Sequence, residues 1–332
     1  MNNNFVEIER QGKKVRAPSL CVANRTIIVT GRWIRMARIH QEDWMEGEPV
    51  ENPEWFVKKI KELALKADIF SFSLRLPETK QRYQFHFEWD NVAAIPISSF
   101  DDWWHNRISR RTRQEVKRAD RYGVLVKVAP FDEELICDIV RLFDRITIKQ
   151  GQPFAHHGKD YAKVKKDISP YSDRSKFIGA YYEQELIGYL KIVYMGRIAS
   201  ILNIITDPIH FEKRPGNALL AEAVKACEKK DVLYLLYGKY AYGNKINSSL
   251  AEFKRRNGFE MIKLPRYYIP LNLKGRIIIA LKLHNGILGI LPESLISPLL
   301  RLRSGLYRYI LTPLKSQKVL QKLSKIRTKT IE

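Results

Sequence analysis

The sequence predicts an α/β (α+β) chain in which a mixed sheet is flanked by helices, with a smaller unit before it and a basic helical tail after it. Three observations carry this. Hydrophobic periodicity alternates between strand and helix from residue 124 to 271, which is the signature of a sheet covered by helices. Three strands in the middle are joined by turns short enough to force antiparallel pairing. Beyond residue 273 the pattern gives way to apolar clusters alternating with bases and divided by Pro292, Pro298 and Pro313.

The first unit, residues 1–98, carries expected strands at 25–29, 69–74 and 82–89, with a helix between the first two in which Trp55, Phe56, Ile60 and Leu63 recur at helical spacing. In the third strand Tyr83, Phe85 and Phe87 alternate with Gln84, His86 and Glu88. Residues 99–123 form one expected basic helix, starting at Ser99 and stopped by Gly123. Its Arg107, Arg110, Arg111, Arg113, Lys117, Arg118 and Arg121 leave two readings open, a solvated linker and a phosphate-binding surface.

The main unit, 124–273, follows in order. A strand at 124–128 leads to a helix at 133–149, with Leu135, Ile139, Leu142, Phe143 and Ile146 on one face. A loop through His156 and His157 leads to a second helix near 159–168. The three-strand meander occupies 176–182, 186–194 and 198–206, and a helix then begins at Pro215 or Gly216 with Leu219, Leu220, Ala223, Val224 and Cys227 as its buried stripe. A buried strand at 232–237, a short helix opened by Ser249-Leu250-Ala251-Glu252, and two strand pieces at 260–263 and 267–271 complete the unit. No internal repeat is visible in the sequence.

Composition bounds the function. The 332 residues are 45% hydrophobic, enough for about two packed domains and incompatible with a disordered chain. Cys21, Cys137 and Cys227 fit neither a disulfide framework nor a CxxC metal site, so each is expected to be a small buried hydrophobe in a reducing compartment. Neither a secretory leader nor a run of about 18 apolar residues occurs, which predicts a cytoplasmic protein. The 58 Lys and Arg against 36 Asp and Glu leave +22, with a pI near 9.8, so an anionic partner is expected: nucleic acid, a membrane face, or a phosphate-rich ligand.

The order of elements resembles the GNAT fold, and the basic helix running through Arg118-Ala119-Asp120-Arg121-Tyr122 into Gly123-Val124-Leu125-Val126 resembles FemAB-type and related acyltransferases. Phe253-Lys254 and Asn257-Gly258-Phe259 stand where that group has its Phe-Lys and Phe-Gly pairs. The resemblance spans roughly residues 60–271. It implies a GNAT-like sheet with a partial GNAT-like domain before it, and an acyl-CoA co-substrate lying in a V between the strands at 198–206 and 232–237. The backbone of Asn203, Ile204, Ile205 and Thr206 would pair with the pantetheine chain. Lys213-Arg214-Pro215-Gly216-Asn217-Ala218 is a degenerate counterpart of the family's pyrophosphate loop. A helix start offers unpaired N–H groups and a positive dipole end, Gly216 admits a phosphate to the backbone, and Pro215 suits the first turn.

The chemistry needs proton removal from an attacking amine and a donor for the leaving thiolate. Tyr242 is the candidate acid and Asn244 a polar contact, both on the loop leaving the 232–237 strand; Tyr240 and Tyr242 packing on the sheet edge is the other reading. His156 is a candidate base, against a reading as a solvated loop, and with no third ligand in view beside it and His157 no metal is expected there. Lys254 would neutralise a phosphate or oxyanion, or is a surface lysine. The acceptor implied is an amine on an amino sugar or glycan precursor. Two alternatives stay open: an aminoacyl-tRNA donor, and a non-catalytic protein binding RNA or membrane. The tail, 274–332, carries twelve Lys and Arg against two Glu, a net +10. It would lie on the anionic inner face of a membrane or pack on the catalytic unit.

Overall fold

The computed structural model describes residues 4–10, 13–22, 25–42, 50–149, 152–241 and 248–285. One twelve-stranded sheet runs through it. In chain order the elements are β1 (Asn4–Arg10), β2 (Lys13–Val22), β3 (Arg25–Thr30), β4 (Met36–Ile39), α1 (Pro53–Glu62), β5 (Ile69–Ser73), β6 (His86–Pro96), α2 (Phe100–Asp102) and α3 (Arg110–Arg121). There follow β7 (Leu125–Ala129), α4 (Glu133–Arg145), the short pair β8 (Ile148–Lys149) and β9 (Gln152–Pro153), α5 (Tyr161–Ile168), β10 (Ser175–Tyr182), β11 (Glu185–Met195) and β12 (Ile198–Thr206). The last are α6 (Pro215–Glu228), β13 (Tyr234–Leu236), α7 (Ser249–Arg256), β14 (Glu260–Pro270) and α8 (Leu273–Ala280).

The strand order is β1-β2-β3-β4-β5-β14-β6-β13-β12-β11-β10-β7. Two neighbours, β4 with β5 and β12 with β13, are parallel, and each parallel pair is bridged by a helix, α1 or α6. The succession of meander, helix and parallel strand therefore occurs twice, although the sequence shows no repeat. The last strands of the two halves are exchanged: β6 pairs with β13, and β14 lies between β5 and β6. The fold is the mixed sheet flanked by helices that the periodicity predicts, with the GNAT-like order of elements that the resemblance implies.

Helices cover both faces. On one, α6 buries Leu219, Leu220, Ala223 and Val224 with Trp103, Ala119 and Ile201. On the other, α4 and α5 bury Leu135, Ile139, Phe143, Val164 and Ile168 over Phe177, Tyr189 and Ile205. A third cluster lies under α1, where Phe56 and Ile60 meet Phe70 and Phe72.

Several expected elements are shifted. The helix expected over 99–123 is two pieces, because Ile108 is extended and Ser109 caps α3 by accepting from Thr112 N. The break turns α3 onto α7: Trp103 Nε1 donates to Asn257 O (3.0 Å), and Thr112 Oγ1 to Arg256 O (3.0 Å). The strand expected at 82–89 begins only at His86; Arg82 N and Tyr83 N donate instead to the Tyr267 hydroxyl, so the aromatic alternation there marks a ring cluster. The two pieces expected at 260–271 are one strand. Pro265 lies just past the end of β5, where its carbonyl accepts from Leu74 N (3.1 Å), so the ladder hydrogen bond that a proline cannot donate falls at a strand end. Cys21 and Cys137 are exposed and only Cys227 is buried, its thiol pushed up to about 12 by desolvation. Among the described residues no helix is long and apolar enough to cross a membrane; most of the 274–332 tail lies outside them.

Candidate functional site

β12 and β13 pair only through Ile198, Ala199 and Ser200 with Tyr234, Leu235 and Leu236. Beyond that point they part. β12 keeps its partner β11 as far as Thr206, opposite Gly188, but Leu202 has no opposite residue, since Ile201 faces Ile192 and Asn203 faces Lys191. An extra residue bends a strand and sharpens its twist, and here it turns β12 away from β13. The chain after Leu236 stays with β6: Tyr237 N donates to Ala93 O (2.9 Å), and Ala93 N to Gly238 O (2.8 Å). The result is a fork whose β12 side, among the described residues, presents unpaired backbone along 201–206.

The other side is held by side chains. Asn91 acts as a missing strand residue, accepting from Ala241 N (2.9 Å) and donating to Ala241 O (3.3 Å). Lys239 is bound to Asp90 at 2.8 and 2.9 Å, and Arg266 joins Asp90 (3.0 Å) to Glu42 (2.8 Å). Burial works to raise the Asp90 pKa, but the Lys239 hydrogen bond and the charges of Arg266 and Lys239 outweigh it and hold the carboxyl below its ordinary value. Lys254 closes the group. Its Nζ donates to Lys239 O (2.7 Å) and stands 4.6 Å from the centre of the Tyr237 ring. Asn91→Ala leaves the buried Ala241 backbone without these partners, so a loss of about 1–3 kcal/mol is expected in denaturant unfolding; an unchanged midpoint would show that water replaces them.

At the end of β12 the chain turns through a 3-10 helix, Pro208–Lys213, and Arg214 adopts the left-handed conformation (φ 57°) before Pro215 opens α6. A side-chain carbon added at Gly216 would meet only the Thr206 methyl, at 3.7 Å, so the first turn of α6 is open to a ligand from the fork. A cavity of about 660 Å³ adjoins it, between Arg214 and Asn217 of this turn, Arg107, Ser109 and Arg111 leading into α3, and Phe253, Arg255 and Arg256 of α7. Asn217 Nδ2 is tied to Asn257 Oδ1 at 3.0 Å, which locks α6 to the end of α7.

The structure thus brings Asn203, Ile204, Ile205, Thr206, Gly216, Asn217, Ala218 and Lys254 around one fork. Lys213 and Arg214 stand beside it with partners of their own: Lys213 with Glu212 (3.0 Å) and the Tyr182 ring (4.6 Å), Arg214 with Glu115 (2.6 Å). The arginines lining the cavity supply further cationic wall. Lys254 is 1% exposed, which corrects its reading as a surface lysine, and burial lowers its pKa to about 8. His156 sits elsewhere, against Phe143 and Phe154, with Nδ1 2.9 Å from Lys159 Nζ, at the corner of α4 and α5. Tyr242 and Asn244 lie outside the described residues. Asp90 and Asn91 were not anticipated from the sequence. The available signal was two adjacent strand-averse residues inside a strand, a local conflict that commonly marks a working position.

No protein-family model matches the chain. Over 85 residues, 26% of this chain and 50% of the relative, it is 31% identical to a spermidine N(1)-acetyltransferase of Thermoplasma acidophilum; the chain spans about half the length of the curated relative it matches. Among solved structures it is similar to FemX, with a TM-score of 0.53 and 9% identity over 84% of this chain and 90% of that one. L-PGS from Bacillus licheniformis superposes with a TM-score of 0.47 and 14% identity over 77% of this chain and 85% of that one. The likeness to FemX is one of fold.

Proposed function

We propose that this chain is an N-acyltransferase that moves an acyl group from acyl-coenzyme A to an amine. The observation that carries the reading is the β12–β13 fork opening beside the half-buried first turn of α6, where only the Thr206 methyl stands within contact of a side-chain carbon added at Gly216. A pantetheine chain has amides spaced along an extended backbone, so it can hydrogen-bond to the unpaired β12 edge as another strand would. Its diphosphate would meet the amino end of α6 and the arginines of the adjoining cavity. The local match to a spermidine N(1)-acetyltransferase favours an amine acceptor.

In the reaction the amine nitrogen attacks the thioester carbonyl, its extra proton leaves, and the C–S bond breaks to release a thiolate that takes up a proton. The negative charge passes first to the carbonyl oxygen and then to sulfur. Lys254, buried behind Tyr237–Lys239, places a cation in low-dielectric surroundings next to the fork, where it stabilises that charge in both positions. Tyr242 is the proposed acid for the thiolate. The acceptor is an amino sugar or another glycan-precursor amine, and the protein works in the cytoplasm.

The five arginines Arg107, Arg111, Arg214, Arg255 and Arg256 around the cavity outnumber Glu115 and Glu252 in the same lining, and this surplus of positive charge favours a second reading, with aminoacyl-tRNA as donor. Thermal shift separates the two. Acetyl-CoA at about a hundred times its dissociation constant would stabilise the folded chain by about 2.7 kcal/mol. A salt-sensitive response to deacylated tRNA alone would favour the second donor, and no response to either would remove the transferase reading.

A further inference from the structure

Away from the fork, β6 begins with His86 and Glu88, which lie two apart and hence on one face of the sheet. The short 3-10 turn after α8 lays His284 over that face. Glu88 Oε1 is 3.0 Å from His284 Nε2 and 3.7 Å from His86 Nε2, and one donor atom from each of the three residues lies within 4.8 Å of the others. The His284 side chain is 0% exposed, its ring 4.5 Å from Tyr268 and 5.8 Å from His86. Its Nδ1 is buried without a hydrogen-bond partner among the described residues. Asn285 Nδ2 donates to the same Glu88 oxygen at 2.8 Å.

A buried imidazole nitrogen without a hydrogen-bond partner, as at His284 Nδ1, costs free energy, and the ring is held by Glu88 at its other nitrogen. A divalent ion bonded to nitrogen and oxygen at about 2.0–2.2 Å in tetrahedral geometry needs donors about 3.4 Å apart, and the separations around Glu88 bracket that value. Two imidazoles and one carboxylate suit zinc, cobalt or nickel, whereas calcium and magnesium prefer all-oxygen sets. We propose that His86, Glu88 and His284 bind one divalent transition-metal ion of the zinc class, with a water molecule completing its coordination. The ion clips the segment after α8 onto β6, joining chain positions almost two hundred residues apart. Glu88 and Tyr268 also line a charged cavity of about 760 Å³ with Asp90, Lys239 and Arg266, so occupancy would set one wall of that space.

The test uses the full chain, stripped with a chelator and titrated with Zn2+ in competition with a chromophoric chelator; Co2+ replaces Zn2+ for visible absorption. One equivalent is expected to bind, with a Co2+ spectrum typical of low coordination number and a raised melting temperature. His86→Gln and Glu88→Gln should each weaken binding at least about tenfold and abolish the thermal response. His86 is on the rim, with its side chain 38% exposed, so its variant keeps the fold even if His284→Gln does not. A Cys21→Ser, Cys137→Ser double variant should bind as the wild type does. Affinity unchanged in His86→Gln and Glu88→Gln, or lost in the cysteine variant, overturns the assignment, as does the absence of a one-to-one complex.

Discussion

Lys254→Met is expected to lower turnover about a hundredfold while leaving the affinity for coenzyme A within about threefold of wild type. Loss of one preorganised electrostatic donor commonly costs that much in turnover. Methionine keeps most of the side chain's volume, so the effect isolates the charge. In the proposed site the diphosphate meets the first turn of α6, whereas the Lys254 amine is engaged at Lys239 O and over the Tyr237 ring, so binding and turnover should separate.

The pH dependence gives a second readout. Burial lowers the Lys254 pKa to about 8 from its ordinary 10.5. Above about 8 the folded protein releases this proton while the unfolded chain still holds it, so this group's contribution to stability rises with pH between about 8 and 10.5. Below that window both states are charged and the full cost of burying the cation is present. Wild type should therefore gain stability relative to Lys254→Met as the buffer is raised from pH 8 to 10, while its turnover advantage over the variant shrinks. Parallel unfolding and rate profiles for the two proteins would reveal a wrong assignment.

Gly216→Asp is expected to weaken coenzyme A binding by about ten- to a hundredfold without lowering the melting temperature. The new carboxylate would sit at the amino end of α6, where an acid favours the helix by about 0.3–1 kcal/mol, and its Cβ meets only ordinary contact with Thr206. In the proposed site the same charge would face the diphosphate and repel it. Gly216→Ala is the matched control: it should stabilise by about 0.5–1 kcal/mol through helix propensity and weaken binding much less. Calorimetric titration with coenzyme A decides, and an aspartate variant that binds like wild type would place the diphosphate away from this helix.

The parts of the fold legible in the sequence were those governed by local physics. The β10–β12 meander could be read because its connections are too short for anything but antiparallel return, and α6 because Pro215 marks a first turn. The core stripes of α4 and α6 followed from their 3.6-residue spacing. The sheet order was not legible, since placing β14 between β5 and β6 depends on pairings between residues almost two hundred positions apart. The fork itself was anticipated through resemblance, but its cause, the extra residue Leu202, leaves no mark in composition or periodicity. Lys254 stayed between an oxyanion-neutralising and a surface reading because a lysine on a short, charged helix looks solvated; only its burial beside Tyr237 and Lys239 places it in the interior. Asp90 and Asn91 were invisible for the converse reason, that polar residues normally argue against a strand interior.

The exchange of β6 and β14 ties the two topological halves into an interlock. A polypeptide ending before residue 260 would leave the edges of β5 and β6 without the strand that lies between them, and one starting after residue 96 would leave β13 with an open flank. Exposed edges of this kind recruit a strand from another molecule. Fragments of either half should therefore dimerise by swapping or precipitate, and the intact polypeptide should melt in a single cooperative step.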